Sequence, residues 1–304
     1  AITINTNFDG PINFDCVGNI TLEANNEVNF ETVKANTFTN KGTATVNTNI
    51  TTGTVTNNGT LTINGQAETG NLKNNSIVTI TDGNELLISK KIDNLNGKIA
   101  GSVKLSGNNI SSDSMHLGND TSEYKNLTID THNEISFAGN PKINNLIVQK
   151  AKGVTFKESV TINNVNDENY SNNLNFYGAQ FKKKDENDFS TIEFKTSGTV
   201  TFGSNENSTT SFEKDLTHTV GTTVINGTFS ADVNNIRLGE TKINGSVIAE
   251  NAEFGDTNLT GKITSQKINI NSKLILDGQV NGNEINLSEI KLKASSSIKS
   301  VSDT

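Results

Sequence analysis

The sequence predicts an all-β solenoid with coils of about 16–19 residues, because a polar turn followed by a short strand recurs along the chain. The recurrence is clearest in residues 37–81, where an Asn-x-Gly or Asn-Asn-Ser turn precedes a strand three times at a spacing of 17 residues. In each copy, apolar residues alternate with threonine, which is typical of strands with one buried face. Such a strand buries that face only by stacking on the next copy, so the repeat predicts a solenoid.

Two further repeats extend this prediction to most of the 304 residues. Residues 126–146 match residues 145–165 at a spacing of 19, and residues 238–247 match residues 254–263 at a spacing of 16. Within each repeat the turns and the strands keep the same offset, so whole coils correspond. We therefore predict one β-helix over residues 1–304, with roughly 16 coils of drifting length. Asparagines at the turns are predicted to stack as side-chain amide ladders.

The charge balance excludes several classes of partner. Lysine and arginine total 25 against 33 aspartates and glutamates, which gives a net charge of −8, and Arg237 is the only arginine. An acidic chain with one guanidinium is poorly suited to bind nucleic acid or an anionic membrane surface. No stretch approaches the roughly 18 apolar residues of a membrane helix, so no membrane insertion of this segment is predicted. One cysteine excludes an intrachain disulfide framework.

Four segments depart from the repeat. We predict irregular first coils at 1–30, a loop at 104–123, a loop insertion at 166–190 and a C-terminal cap or linker at 292–304. Insertions in solenoids form loops that often carry binding, so 166–190 is the candidate interaction loop, and the alternative is a solvated connection between coils. Its aromatic and basic side chains are the candidate contacts: Tyr170, Tyr177, Phe181, Lys182, Lys183 and Lys184.

No catalytic residue, cofactor-binding residue or metal ligand is predicted. The three histidines lie far apart, and none has a carboxylate, a cysteine or a second histidine at metal-ligand spacing, so each is expected on the surface or in a loop: His116, His132 and His218. The chain has no P-loop, no G-x-G-x-x-G and no G-x-S-x-G motif. The sequence therefore shows no residues that would bind a nucleotide or act as a catalytic nucleophile.

One pair of carboxylates occupies equivalent positions in coils related by the 16-residue repeat. Glu240 and Asp256 each follow a glycine in a turn, and stacking of the coils would bring them about 5 Å apart. Three interpretations stay open: a solvated turn, which the nearby Lys242 favours, a Ca²⁺ site with turn carbonyls, and an acidic pair like that of polysaccharide-cleaving enzymes.

The chain resembles the passenger domains of bacterial autotransporters and related filamentous-haemagglutinin-type surface proteins. The resemblance covers nearly the whole chain and rests on the richness in Asn, Thr and Gly, on Gly-Thr-x-Thr coils such as residues 42–45 and 59–62, on the near-absence of Cys and Trp, and on the acidic balance. It implies a right-handed parallel β-helix, export across the outer membrane, and secretion or exposure at the bacterial cell surface. Members of the group usually act as adhesins, toxins or matrix components in virulence. The coils are shorter than in the commoner members.

These observations lead to the expectation of a non-enzymatic adhesin or interaction module built on a β-helix rod. Its partner would be a protein or glycan on the surface of a host cell or neighbouring bacterium, and the rods could also self-associate. Nucleic acid is not expected as a partner, and no cofactor is expected. The alternatives are a structural subunit of a surface layer or fibre and, third, a polysaccharide-active β-helix enzyme.

Overall fold

The prediction of an all-β solenoid is confirmed. The protein is described here by a computed structural model over residues 1–167 and 173–300, and in that part of the chain it contains 26 strands and no helix. Parallel strands stack into about 16 coils. The described residues include no helix that is long and apolar enough to span a membrane. The contacts between residues divide the chain into two compact units, residues 1–151 and residues 152–304.

The strands are numbered in chain order. Those of the first unit are β1 (Ile2–Ile4), β2 (Phe8–Asp15), β3 (Asn19–Leu22), β4 (Glu27–Asn40), β5 (Thr43–Asn57), β6 (Thr60–Ile63), β7 (Gln66–Asn74), β8 (Ile77–Ile80), β9 (Glu85–Asp93), β10 (Lys98–Ser106), β11 (Met115–His116), β12 (Glu123–Asp130), β13 (Glu134–Ala138) and β14 (Lys142–Lys150). Those of the second unit are β15 (Gly153–Asp167), β16 (Asn173–Phe181), β17 (Ile192–Glu193), β18 (Thr199–Phe202), β19 (Thr209–Phe212), β20 (Leu216–Ile225), β21 (Thr228–Ile243), β22 (Ser246–Phe254), β23 (Thr257–Leu259), β24 (Lys262–Leu276), β25 (Gln279–Leu292) and β26 (Ser297–Ser300).

Each regular coil of the first unit contributes to three parallel sheets. Strand β4 bends through all three, and its three segments pair in turn with three segments of β5. Strands β6 to β9 continue the same three columns. Burial alternates along these strands, because successive side chains of a strand point to opposite faces. The interior of this unit is therefore a narrow column of mostly aliphatic side chains, with Phe30 and Phe38 among them, that runs from coil to coil.

A row of fully buried asparagines also runs through the first unit. Its members are Asn40, Asn57, Asn74 and Asn94. Each of the first three donates from Nδ2 to Oδ1 of the next, at 2.8, 2.8 and 2.7 Å, and also donates to the backbone carbonyl of the first residue of a later strand. In the coil before Asn40 the equivalent residue is Leu22, which has no donor, and Asn40 Oδ1 is a buried acceptor without a partner. The predicted amide ladders are confirmed, and this one lies inside the solenoid.

Two columns of phenylalanines fill much of the second unit. Their members are Phe156, Phe176 and Phe202 in one column, and Phe181, Phe212 and Phe229 in the other. Neighbouring ring centroids lie 5.6 and 5.9 Å apart in the first column and 4.4 and 4.8 Å apart in the second. Stacked aromatic rings bury a large apolar area, so this part of the core needs few residues per coil.

The segments that depart from the repeat contain more strand than the sequence suggests. The first coils include β1 to β3, although the pairing of β2 with β4 shifts register on both sides of Ile12. Residues 104–106 belong to β10, and residues 107–122 contain only the short β11. Within 292–304, the segment predicted to be a cap or linker, β26 pairs with residues 279–282 and so continues the stack.

Candidate functional site

Part of the loop insertion predicted at 166–190 is a strand in the structure, and residues 168–172 of it lie outside the described residues. Residues 173–181 form β16, which pairs with β15 on one side and with β18 and β19 on the other. Phe181 is fully buried in the second phenylalanine column, so its assignment to an exposed loop is wrong. Tyr177 is half-buried in the same strand, and Tyr170 lies outside the described residues. Residues 182–191, here called the strap, connect β16 to β17 without regular structure.

The three candidate lysines do lie in the strap. Lys182 and Lys183 are half-buried and Lys184 is exposed. The Lys182 amide donates to the Ile162 carbonyl at 2.9 Å, and the Lys183 amide donates to the Glu213 carboxylate at 3.2 Å. The start of the strap is therefore bonded to the coils on both sides.

Lys214 binds the strap from inside the fold. Its side chain is 0% exposed, and its ammonium lies 2.5 Å from the Asp188 carboxylate and donates to Ser190 Oγ at 3.0 Å. The same ammonium donates to the carbonyl of Asn163 at 2.7 Å and to Oδ1 of Asn164 at 3.1 Å. One buried cation thus joins two residues of the strap to strand β15.

Asp188 organises the strap itself. Its carboxylate accepts hydrogen bonds from the amide of Lys184 at 3.0 Å, from the amide of Ser190 at 3.2 Å and from Ser190 Oγ at 2.5 Å. Burial alone would raise the pKa of Asp188, but the bonds from Lys184, Lys214 and Ser190 outweigh it and hold that pKa well below its usual range. The carboxylate therefore stays ionised throughout the physiological pH range.

Phe189 is the exposed aromatic residue of the strap. Its side chain is 81% exposed, although the residues on both sides of it, Asp188 and Ser190, are bonded to Lys214. The Lys183 ammonium lies 5.3 Å from the ring centroid, within the range of a cation–π contact. The strap therefore presents an aromatic ring on a backbone that an ion pair and hydrogen bonds attach to the fold.

Two buried titratable residues hold the chain just after the strap. The Asp167 carboxylate accepts the amide hydrogens of Lys195 and Thr196, both at 2.7 Å. His218 Nε2 lies 3.1 Å from the Thr196 carbonyl, and Nδ1 lies 2.8 Å from the Thr223 hydroxyl. Because a carbonyl only accepts, Nε2 carries the hydrogen and Nδ1 accepts from Thr223, as in a neutral imidazole.

Burial shifts both groups towards their neutral forms. It lowers the pKa of His218, although the Thr196 carbonyl and Asp167 act in the opposite direction. It raises the pKa of Asp167, and the two backbone amides only partly offset that effect. The expectation that His218 lies on the surface or in a loop is wrong, because its side chain points inward from β20 onto the segment that follows the strap.

The other long interruption, residues 107–122, is packed against the fold. Its large apolar side chains Ile110, Met115 and Leu117 are buried. The buried Tyr124 hydroxyl donates to the Leu117 carbonyl at 2.8 Å, and burial raises the pKa of this tyrosine far above its usual value. Asn94 donates to the same carbonyl at 3.0 Å, so the buried asparagine row ends on this loop.

Shallow clefts lie on the outer faces of the sheets. In the first unit a cleft of about 440 Å³ is lined by amides and carboxylates, among them Gln66, Glu68 and Glu85, together with small and apolar residues. In the second unit a cleft of about 370 Å³ begins at Thr191, the last residue of the strap, and extends to Asn269. Polar and apolar side chains line both clefts.

The carboxylates of Glu240 and Asp256 do lie on adjacent coils, since Thr241 pairs with Thr257. Both line a cleft of about 260 Å³. Ser272 Oγ donates to Asp256 at 2.5 Å, and this bond is the main reason why the pKa of Asp256 is lowered. A general acid needs a raised pKa, so the surroundings favour the solvated-turn interpretation. The described residues also contain no group of three or more His, Cys, Asp or Glu side chains that could hold a metal ion.

Three residues of this region have little signal in the sequence. Lys214 and His218 stand on strands or turns of ordinary composition, and their partners Asn163 and Thr196 lie 51 and 22 residues away in the chain. Phe189 falls within the predicted insertion, and only its exposure distinguishes it from the core phenylalanines.

Comparison of the chain with protein-family models, with curated proteins and with solved structures found no match.

Proposed function

We propose that the chain is a non-enzymatic interaction module, an adhesin of the autotransporter-passenger type that acts at a bacterial cell surface or after secretion. Its partner is a protein or glycan on a host cell or a neighbouring bacterium. The strap makes the main contact. The observation that carries the proposal is Phe189, an aromatic side chain 81% exposed on a backbone that Lys214 and Asp188 hold in place.

Exposed aromatic residues of this kind are favourable for binding. Aromatic side chains dominate the affinity of many interfaces, because a large rigid surface leaves water at a small cost in side-chain entropy. A loop that is already ordered also avoids the entropy cost of ordering on binding. The hydrogen bonds of Asp188 and Lys214 provide that order before any partner arrives.

The charges around Phe189 suggest the shape of the complementary surface. The Lys183 ammonium lies 5.3 Å from the ring centroid, and the exposed residues Lys184, Asp185 and Glu186 precede the ring in the strap. Mixed charge around an apolar centre is typical of the polar rim of an interface. We therefore expect the partner to offer an apolar pocket for the ring, with polar groups at its edge.

Binding of labelled protein to intact host epithelial cells and to bacterial cells tests this proposal. Phe189→Ala should weaken binding by about 30-fold, which corresponds to about 2 kcal/mol and is typical of a central aromatic contact. Val220→Ala is the matched control, because Val220 is an exposed apolar residue of the same unit that lies outside the strap. It should bind as the unchanged protein does.

Two results would count against the proposal. Equal binding by the Phe189 and Val220 variants would remove the strap as the contact site. Ordered filaments of the purified protein in electron micrographs, together with no binding to cells, would instead support a fibre or surface-layer subunit.

A further inference from the structure

A fixed row of polar side chains crosses the cleft of the second unit. Asp215, Asn235 and Asn251 lie on three successive coils. Asn235 Nδ2 donates to the two carboxylate oxygens of Asp215 at 3.2 and 3.1 Å, and Asn251 Nδ2 donates to Asn235 Oδ1 at 2.7 Å. The backbone amide of Asn235 donates to Asp215 as well, at 2.8 Å. The row is therefore ordered without a ligand.

A second row runs parallel to the first, two residues further along each strand. Arg237 pairs with Glu253, and Glu253 pairs with Asn269. The guanidinium of Arg237 lies 3.5 Å from Glu253 Oε1, and its side chain is 64% exposed. Neighbouring strands of a sheet lie about 4.8 Å apart, so both rows repeat at that interval along the coils.

These side chains have hydrogen-bonding capacity to spare. An amide side chain has two N–H donors and an oxygen with two lone pairs. Asn251 Oδ1 accepts no hydrogen bond from another residue of the described chain, and Asn269 Nδ2 donates to none there. Both line the cleft and are only half-buried, so the spare donors and acceptors are open to a ligand.

The chemistry of the cleft fits a polyhydroxyl chain. Each hydroxyl of a sugar both donates and accepts, and planar amide, carboxylate and guanidinium groups bind pairs of neighbouring hydroxyls. The interval between coils is close to the length of one pyranose unit in an extended chain. The cleft contains two carboxylates, Asp215 and Glu253, and one guanidinium, so it offers no excess of positive charge to a sulfated or uronic acid chain.

We propose that this cleft binds a neutral linear polysaccharide that lies along the stacked coils, with about one sugar per coil. None of the described residues that line the cleft is aromatic, so affinity comes from repeated hydrogen bonds rather than from stacking on a ring. Such affinity is modest for a short ligand and rises with chain length. Thr191 of the strap lies at one end of the cleft, but Phe189 does not line it, so the proposal does not require a role for the ring.

Cellohexaose and chitohexaose, with the matching disaccharides, are suitable probes for calorimetric titration of the full chain. At least one hexasaccharide should bind with a Kd below about 1 mM, and about tenfold more tightly than its disaccharide. The double variant Asn235→Ala/Asn251→Ala should weaken this binding by about tenfold or more, because it removes both amides of the row.

Two controls make the test specific. Asn47 and Asn64 form an exposed amide pair in the first unit, at 3.1 Å, and Asn47→Ala/Asn64→Ala should bind the hexasaccharide unchanged. Phe189→Ala should also bind it unchanged, which separates this site from the contact through the strap. The proposal is overturned if neither hexasaccharide binds at about 1 mM, if both asparagine pairs weaken binding equally, or if a heparin hexasaccharide binds more tightly than either neutral probe.

Discussion

The buried asparagine row of the first unit allows a direct test of how polar groups stabilise the solenoid interior. Asn57 accepts a hydrogen bond from Asn40 at 2.8 Å and donates to Asn74 Oδ1 at 2.8 Å and to the Ile77 carbonyl at 2.9 Å. The substitution Asn57→Asp keeps the shape of the side chain and removes both donors. An ionised carboxylate would then face two acceptor oxygens without water, so we expect the introduced carboxyl to be protonated in the folded state.

The expected loss of stability follows from the proton that the introduced aspartic acid must keep in the folded state. An aspartic acid in an unfolded chain has a pKa of about 3.9, so keeping it protonated at pH 7 costs about 3 pKa units, or about 4 kcal/mol. The single O–H donor also replaces two N–H donors, which removes about 1 kcal/mol more. The folded pKa is raised above the unfolded one, so the variant loses stability as pH rises above about 4. We expect a loss of about 5 kcal/mol at pH 7 and about 1.5 kcal/mol near pH 4.

Urea unfolding followed by circular dichroism measures both values, each relative to the unchanged protein at the same pH. The matched control is Asn64→Asp, because Asn64 donates to Asn47 in an exposed pair. It should change the free energy of unfolding by less than about 0.5 kcal/mol at either pH. The reasoning fails if Asn57→Asp is equally destabilised at both pH values, or if Asn64→Asp is destabilised as much.

Two further predictions concern the buried ionisable groups of the second unit. Lys214→Met should lower the free energy of unfolding by about 3–5 kcal/mol, because it leaves the Asp188 carboxylate without its buried cation. Urea unfolding measures this change, and a loss below about 1 kcal/mol would contradict the prediction. Burial lowers the pKa of His218 below its unfolded value of 6.5, so its contribution to stability is present above that pH and is lost as the pH falls below it. Unfolding between about pH 7 and pH 5 should show this loss, at most about 1.4 kcal/mol per pH unit, and His218→Gln should reduce the slope.

The regular coils could be predicted because each copy carries all of its own signals. The strand of residues 43–46 pairs with residues 60–63, and those pair with residues 77–80, at the 17-residue spacing seen in the sequence. The turn residues determine where the chain turns into the strand, and the two inward-facing side chains determine which face of the strand is buried. No distant partner is needed to place such a strand, so its position can be predicted from the sequence nearby.

The second unit was harder to predict because its coils change length. Phe156 pairs with Phe176 and Phe176 pairs with Phe202, so the spacing along one core column is 20 residues and then 26. The strap lengthens the second of these coils. A search for repeats at a fixed spacing therefore does not detect the phenylalanine column beyond the start of the strap. For this reason the buried Phe181 is mistaken for part of a loop.

Buried polar residues were missed for a different reason. The sequence around Lys214 and His218 does not distinguish a buried side chain from a solvated one, since both would be polar positions on or beside a strand. Their burial depends on Asn163 and Thr196, which only the folded chain brings close. Lone polar residues in a solenoid are therefore informative only once their contacts are known.

The ion pair of Lys214 and Asp188 serves to position the strap more than to stabilise the fold. Desolvation offsets most of the attraction within a buried ion pair, so an apolar pair of similar volume often stabilises a fold equally well. The ammonium, however, has acceptors on both the strap and β15, so it fixes the strap against that strand. Replacing both residues, as Lys214→Met/Asp188→Leu, should restore part of the unfolding free energy that Lys214→Met removes, because it removes the unpaired carboxylate but also the acceptor of the Lys184 and Ser190 amides. If Phe189 acts as proposed, the double variant should still bind cells more weakly than the unchanged protein, because the ring is no longer held in one place. Full recovery of both stability and binding would show that the ion pair has no role in presenting Phe189.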